Sequence, residues 1–229
     1  MWIKICGLAN LDAALACAEE GADAVGFVFA ESRRKISVEK AKQIIRAMPG
    51  ELQKVGVFVD ASLEKVEAIQ RYLELDLVQL HGHESPQYCF QLPVKVIKAF
   101  QIAKPGDLNA VNDYDGIIRA CLLDSKVPGA NGGTGQPWNW KTFNPAFLKT
   151  AAESSCFIND QQIDQKMKVI VAGGLNPYNV TSAIQAIKPD GIDVSSGVEM
   201  QGSKDRKLIR QFIETVRRWE QSEYKREYA

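Results

Sequence analysis

The 229-residue chain carries no net charge, because 28 basic side chains balance 28 acidic ones. A balanced surface lacks the electrostatic footprint that nucleic acid or an anionic membrane would require of a main partner. No apolar run approaches the roughly 20 residues needed to span a bilayer. The opening stretch, "MWIKICGL", has no basic region leading into a long apolar one, so no signal peptide is read there. Five cysteines, an odd number without close pairs, do not make a disulfide framework. Reduced thiols in the cytoplasm fit them better. No linker, charge block or low-complexity stretch divides the chain, so one domain over 1–229 is expected.

What is present is a repeat of short apolar, β-branched runs. There are eight: "WIKI", "AVGFVF", "KVGVFV", "LVQLHG", "KVIKAF", "ACLLDS", "KVIVAG" and "GIDVSS". Segments with helical spacing lie between most of them. Asn10 and Ser37 read as helix caps, and Gly21 as a helix stop. Val38, Ala41, Ile44, Ile45 and Met48 form one apolar face, and Leu63, Val66, Ile69 and Leu73 another. Ser85-Pro86 and Asn176-Pro177 each set a capping side chain before a proline at the first helical position. Near-continuous apolar strands alternating with helices imply a parallel sheet covered by helices. Eight such units in a chain of this length predict a closed (β/α)8 TIM barrel. The least regular segment precedes the seventh strand, where a sixth helix and a polar insertion around 150–167 are expected.

In such barrels the active site lies in the loops at the C-terminal ends of the strands. Strand one ends there in Cys6-Gly7, strand four in Gln79-Leu80-His81-Gly82, and strand six in Asp124. A thiol and a carboxylate that terminate apolar strands are costly unless they have work to do. Gly173-Gly174 and Ser195-Ser196-Gly197 follow strands seven and eight, the usual phosphate position of the fold. Small residues there let backbone N–H groups approach an anion, and a short helix start would add its dipole. The expected partner is therefore a small phosphorylated molecule. No metal is expected, and the sequence leaves monomer and homodimer both open.

The stretches "KICGL", "EGADAVGFVF", "VGVFV", "VQLHG", "LLDSKVPGANGGTG", "VIVAGGLNPYNV" and "GIDVSSGVE" run in order from the first strand to the last. Together they resemble the phosphoribosylanthranilate isomerase family of tryptophan biosynthesis. Histidine-pathway isomerases share the barrel and the phosphate loops but do not resemble "KICG" or the "LLDSKVPG" loop. The resemblance implies an Amadori rearrangement that needs no cofactor, with Cys6 as general base and Asp124 as general acid. It also implies that Arg34 contacts the anthranilate part of the substrate. Gln79 and His81 share one face of strand four and are expected to line the pocket, the alternative for His81 being a satisfied core group. The sequence departs from the family at Arg33, where proline is usual, at Ala9, where threonine is usual, and at Asn131, often aromatic. The alternatives are another sugar-phosphate isomerase or epimerase barrel, and a non-catalytic phosphometabolite sensor.

A further expectation comes from alternation along strands. If Cys6 faces the barrel interior, Lys4 does too, and Asp193 shares the face of Ser195 on the neighbouring strand. Two charges in an apolar barrel must pair. A Lys4–Asp193 ion pair beneath Cys6 is thus expected, with its ammonium favouring the thiolate.

Overall fold

A computed structural model describes residues 1–125, 156–158, 161–163 and 166–227. The glycine-rich loop after Asp124, Asn131, the expected sixth helix and most of the expected insertion lie outside the described residues.

Eight parallel strands close a barrel. They are β1 (Trp2–Cys6), β2 (Ala24–Val28), β3 (Gln53–Phe58), β4 (Leu77–Leu80), β5 (Lys95–Ile102), β6 (Ala120–Ser125), β7 (Lys168–Val171) and β8 (Gly191–Val194). Each strand pairs with its sequence neighbour, and β8 returns to β1 with Lys4 opposite Asp193. Helices α1 (Leu11–Glu19), α2 (Val38–Ala47), α3 (Leu63–Leu73), α4 (Pro86–Gln91), α5 (Val180–Ile187) and α6 (Arg206–Glu227) surround it. The β5–β6 crossover is a 3₁₀ segment, Pro105–Tyr114. Ahead of β7, Cys156–Ile158 pairs antiparallel with Gln161–Ile163.

Alternation along the strands separates two cores. Ile3, Ile5, Val78, Leu80, Cys121, Leu123, Ile192 and Val194 point outward, into a layer shared with the helices. Ala24, Val55, Leu77, Ile97, Ala120, Leu122 and Ile170 point inward and fill the barrel. Full burial of each large apolar side chain stabilises by about 1.5–3 kcal/mol, so a one-residue slip in any strand would be expensive. This register therefore fixes what the interior receives at its C-terminal mouth: Cys6, Gln79 and Asp124.

The helix starts follow the sequence. Asn10, Ser37, Ser62 and Ser85 each accept a hydrogen bond from the backbone N–H three residues on. Pro86 takes the first helical position, and Gly21, with φ +84°, closes the chain after α1. Asn176 departs from expectation. It does not cap α5, which begins at Val180 after Asn179. Its Oδ1 instead accepts from the Tyr178 N–H in a turn, while Asn179 Oδ1 accepts from the Asn176 N–H at 2.8 Å. The two asparagines are spent on shaping the loop after β7, which delays the helix by one turn.

Candidate active site

Cys6 ends β1 on the inner face and is 8% exposed. Lys4 lies two residues below it, fully buried, with Nζ 2.9 Å from Asp193 Oδ1. The contact is ionic and is not a well-aligned hydrogen bond, since neither atom has a partner of good hydrogen-bond geometry. Burial works against the ammonium, but Asp193 and Cys6 hold the Lys4 pKa above its ordinary value. Burial also pushes the Cys6 thiol up; Lys4 pulls it down, Asp193 up and Lys204 down. Two cations thus oppose the desolvation of the thiol. Gly26 on β2 makes room for this arrangement, since a Cβ there would sit 2.9 Å from Cys6 Sγ and 3.1 Å from Lys4 Cε.

Asp124 sits three strands around the ring, at the end of β6. Its Oδ2 is 3.2 Å from His81 Nε2. Gln79, 1% exposed, places its side-chain nitrogen 3.1 Å from His81 Nδ1. In this amide orientation the amide donates to Nδ1, while Nε2 lies near Asp124 without a well-aligned hydrogen bond. The loop carrying His81 is braced from outside the barrel. Glu84 accepts from the backbone N–H groups of Gly82 and Asp60 at 3.0 and 2.9 Å, and pairs with the buried Lys98 at 3.1 Å. The expected pair Gln79 and His81 is therefore brought together with Asp124.

Gly173 and Gly174 have φ of +82° and +63°, the region where glycine alone is unstrained. A Cβ on Gly173 would lie 2.5 Å from the Ser125 nitrogen and 2.7 Å from Asp124 Oδ1, so this loop packs directly on the end of β6. A Cβ on Gly197 would lie 1.8 Å from the Leu175 carbonyl oxygen, so the two glycine-bearing loops are in backbone contact. Ser196–Val198 forms a single 3₁₀ turn. The Asn179 side chain donates to the Gly174 carbonyl at 2.8 Å, which fixes the first loop. Ser195 differs from the other expected contacts: its hydroxyl donates to the Cys6 carbonyl at 2.9 Å and ties the second loop to β1.

Arg34 crosses the mouth from the loop after β2. A Cβ on Gly7 would lie 2.5 Å from its Cδ, so the arm runs flat over the turn that follows Cys6. Glu199 receives Arg34 through both carboxylate oxygens, with Nε at 2.6 Å and Nη2 at 3.0 Å. Arg33 and Lys204 also reach Glu199, at 3.0 and 2.7 Å. Burial opposes the Glu199 charge, but Arg34 and Lys204 hold its pKa at about 2. Sequence reasoning did not single out Glu199 or Lys204. Their signal is the "EMQGSK" stretch: Gln201 and Gly202 have φ of +51° and +82°, and the hairpin they form sets Glu199 opposite Lys204.

Among the described residues no group of three or more His, Cys, Asp or Glu side chains converges where a metal could be held. No described helix is long and apolar enough to cross a membrane.

Comparison with known proteins identifies the family and the fold. The family model described as N-(5'-phosphoribosyl)anthranilate (PRA) isomerase matches residues 3–215. The N-(5'-phosphoribosyl)anthranilate isomerase of Desulforudis audaxviator is 42% identical over 94% of this chain and 97% of its own. That of Oceanobacillus iheyensis is 41% identical over 95% and 98%. Among solved structures, the Thermotoga maritima phosphoribosyl anthranilate isomerase superposes with a TM-score of 0.79 at 37% identity, covering 95% of this chain and 98% of its own. A phosphoribosyl anthranilate isomerase in complex with reduced 1-(o-carboxyphenylamino)-1-deoxyribulose 5-phosphate gives a TM-score of 0.77 at 35% identity, with the same coverage. With a family model over most of its length and relatives above 40% identity, the chain belongs to the N-(5'-phosphoribosyl)anthranilate isomerase family.

Proposed function

We propose that this protein is the isomerase that converts N-(5'-phosphoribosyl)anthranilate to 1-(2-carboxyphenylamino)-1-deoxyribulose 5-phosphate in tryptophan biosynthesis. The observation that carries this reading is the placement of Cys6 and Asp124. Both end inward-facing strands at one barrel mouth, on either side of the two glycine-bearing loops. The substrate phosphate sits on the N–H groups around Gly173, Gly174, Ser196 and Gly197, with Ser195 holding that loop against β1. The aminoaryl group lies toward Arg34, and the reacting sugar carbons span the space between acid and base.

Asp124 donates its proton to the ribose ring oxygen as the bond from that oxygen to the anomeric carbon breaks. The aniline nitrogen's electron pair moves in to form a protonated Schiff base. Asp124, now ionised, faces this cation, and His81, steadied by Gln79, holds the carboxylate in place. Cys6 then removes the proton from the adjacent carbon. The electrons of that C–H bond neutralise the Schiff base to give an enolamine, which tautomerises to the ketose. Cys6 must act as a thiolate. Lys4 below and Lys204 beside it favour that form, and the Schiff-base cation favours it further. No step needs a cofactor. The proposed setting is the cytoplasm, as a monomer or a homodimer; a similar structure is of monomers generated from the dimeric Thermotoga maritima enzyme.

The test is turnover of phosphoribosylanthranilate generated in situ, followed by loss of its fluorescence. Conversion is expected. A folded protein that binds phosphate but converts nothing would instead be a phosphometabolite sensor. Turnover restricted to sugar phosphates without an aminoaryl group would make it a different isomerase.

A further inference from the structure

We infer that Glu199 is a positioning residue for the substrate's aryl carboxylate: it grips one edge of the Arg34 guanidinium so that the opposite edge is presented to that carboxylate. The inference rests on the function proposed above and adds to it a residue that never touches substrate.

A guanidinium has five N–H donors in a fixed plane. Glu199 takes the side edge, with its two oxygens on Nε at 2.6 Å and Nη2 at 3.0 Å. Among the described residues Nη1 has no partner, so the end edge, formed by Nη1 and the second Nη2 hydrogen, stays available. That end edge is itself a two-pronged fork and matches a second carboxylate. Only 13% of the Arg34 side chain is exposed, and its stem lies flat over Gly7, so the fork cannot swing freely.

A simple Arg–Glu pair would be neutral and would attract no second carboxylate. This cluster is different. Arg33, Arg34 and Lys204 all reach Glu199, so three cations meet one anion and a surplus of two positive charges remains. Lys204 is the central member of this group. Its side chain is 3% exposed, and its ammonium also donates to the Ser195 carbonyl at 3.0 Å and lies 3.3 Å from the Ser195 hydroxyl, which in turn holds the Cys6 carbonyl. Glu199 thereby connects the loop after β2, the phosphate loop after β8 and the end of β1.

A merely bracing role for Glu199 predicts something different, and two ligands separate the readings. One is reduced 1-(o-carboxyphenylamino)-1-deoxyribulose 5-phosphate. The other is the same compound without its carboxyl group. Their dissociation constants should be measured by calorimetry on wild type, Glu199→Gln and Glu199→Asp. Wild type is expected to prefer the carboxylated ligand. Glu199→Gln should lose roughly tenfold or more in affinity for that ligand, the scale of a charge-assisted hydrogen bond, and bind the other as before. Binding of the carboxyl-free ligand also reports that the variant is folded. Glu199→Asp keeps the charge but shortens the reach, and should lose part of the same preference. Equal weakening of both ligands would mean that Glu199 only braces the loops, and would overturn the inference. So would an undiminished preference in both variants. Absence of phosphoribosylanthranilate turnover in wild type would overturn the proposed function instead. An active wild type whose ligand preference does not depend on Glu199 would sink this inference alone.

Discussion

Lys4 Nζ and Asp193 Oδ1 lie 2.9 Å apart inside the barrel, on adjacent strands and directly beneath Cys6. Removing one partner leaves an uncompensated buried charge, so Lys4→Met should destabilise by about 3–5 kcal/mol. It should also raise the thiol pKa of Cys6, because Lys4 is the larger of the two cationic influences that pull it down. The pH dependence of Cys6 alkylation in wild type and variant measures this; an unchanged thiol pKa in a folded variant rejects the electrostatic role. The pair also has its own pH signature. The folded Lys4 pKa is raised, so its contribution is fully present below the unfolded value of about 10.4 and is lost as pH rises through the folded one. The stability gap between wild type and Lys4→Met should therefore hold across neutral pH and close only in strong alkali.

Gly26→Ala tests the room around the base. The added methyl would meet Cys6 Sγ at 2.9 Å and Lys4 Cε at 3.1 Å, so one of the two must move. Overpacking of this kind costs about 1–3 kcal/mol. The variant should fold with a lowered melting temperature and a turnover that falls more than its substrate affinity, because the displaced group is either the proposed base or the cation beneath it. Unaltered kcat in the alanine variant would show that the thiol's position is not limiting.

How far the sequence could be read depends on which physical rule governed each residue. Lys4, Cys6, Gln79, Asp124 and Asp193 follow from strand alternation and barrel closure, which leave no freedom once the core face is known. Asn176 looked like a cap because a proline follows it. Its loop instead needed two asparagines to satisfy Gly174 and the neighbouring backbone, a demand set by the packing of the β7 and β8 loops. Glu199 was read only as the end of a motif. Its role arises from a hairpin that brings Lys204 back beside it and from an arginine far away in sequence at position 34. In the sequence Arg34 stands between two further cations, Arg33 and Lys35, any of which could face solvent. The structure separates them: Arg34 is enclosed, whereas Lys35 pairs with exposed Glu31 in solvent.

The acid and base should be separable from binding. Cys6→Ser replaces a thiol by a far weaker base, and Asp124→Asn removes the donated proton. General acid or base groups contribute roughly 10² to 10⁴-fold each, and a loss of that size in kcat is expected with little change in the affinity for a product analogue. Near wild-type turnover in either variant, with chemistry shown to limit the rate, rejects the role given to that residue.

The proposed phosphate site is built from two loops in backbone contact. An alanine at Gly197 would place its Cβ 1.8 Å from the Leu175 carbonyl oxygen, so the loops must part. Gly197→Ala should raise KM and weaken competition by inorganic phosphate, with the effect on kcat the smaller one. A variant that binds phosphate as wild type does would place the anion elsewhere.

Acid titration isolates the anion that gathers Arg34 and Lys204. The Glu199 pKa, held at about 2, lies below that of an unfolded glutamate, about 4.3. Between these values the unfolded chain binds the proton more readily, so stability falls as pH falls through that window. Above it, the Glu199 contribution is fully present. Glu20, held low by Arg210, and Glu220, held low by the N-terminal ammonium and Arg217, contribute acid sensitivity of the same sign, but a change at position 199 leaves them in place. The comparison of wild type with Glu199→Gln therefore removes their background. Melting temperatures of the two proteins should differ most near neutral pH and converge as pH drops from about 4.3 toward 2, the range over which the wild-type carboxylate takes up its proton. Parallel curves across that range would mean that the Glu199 charge contributes nothing to the folded state.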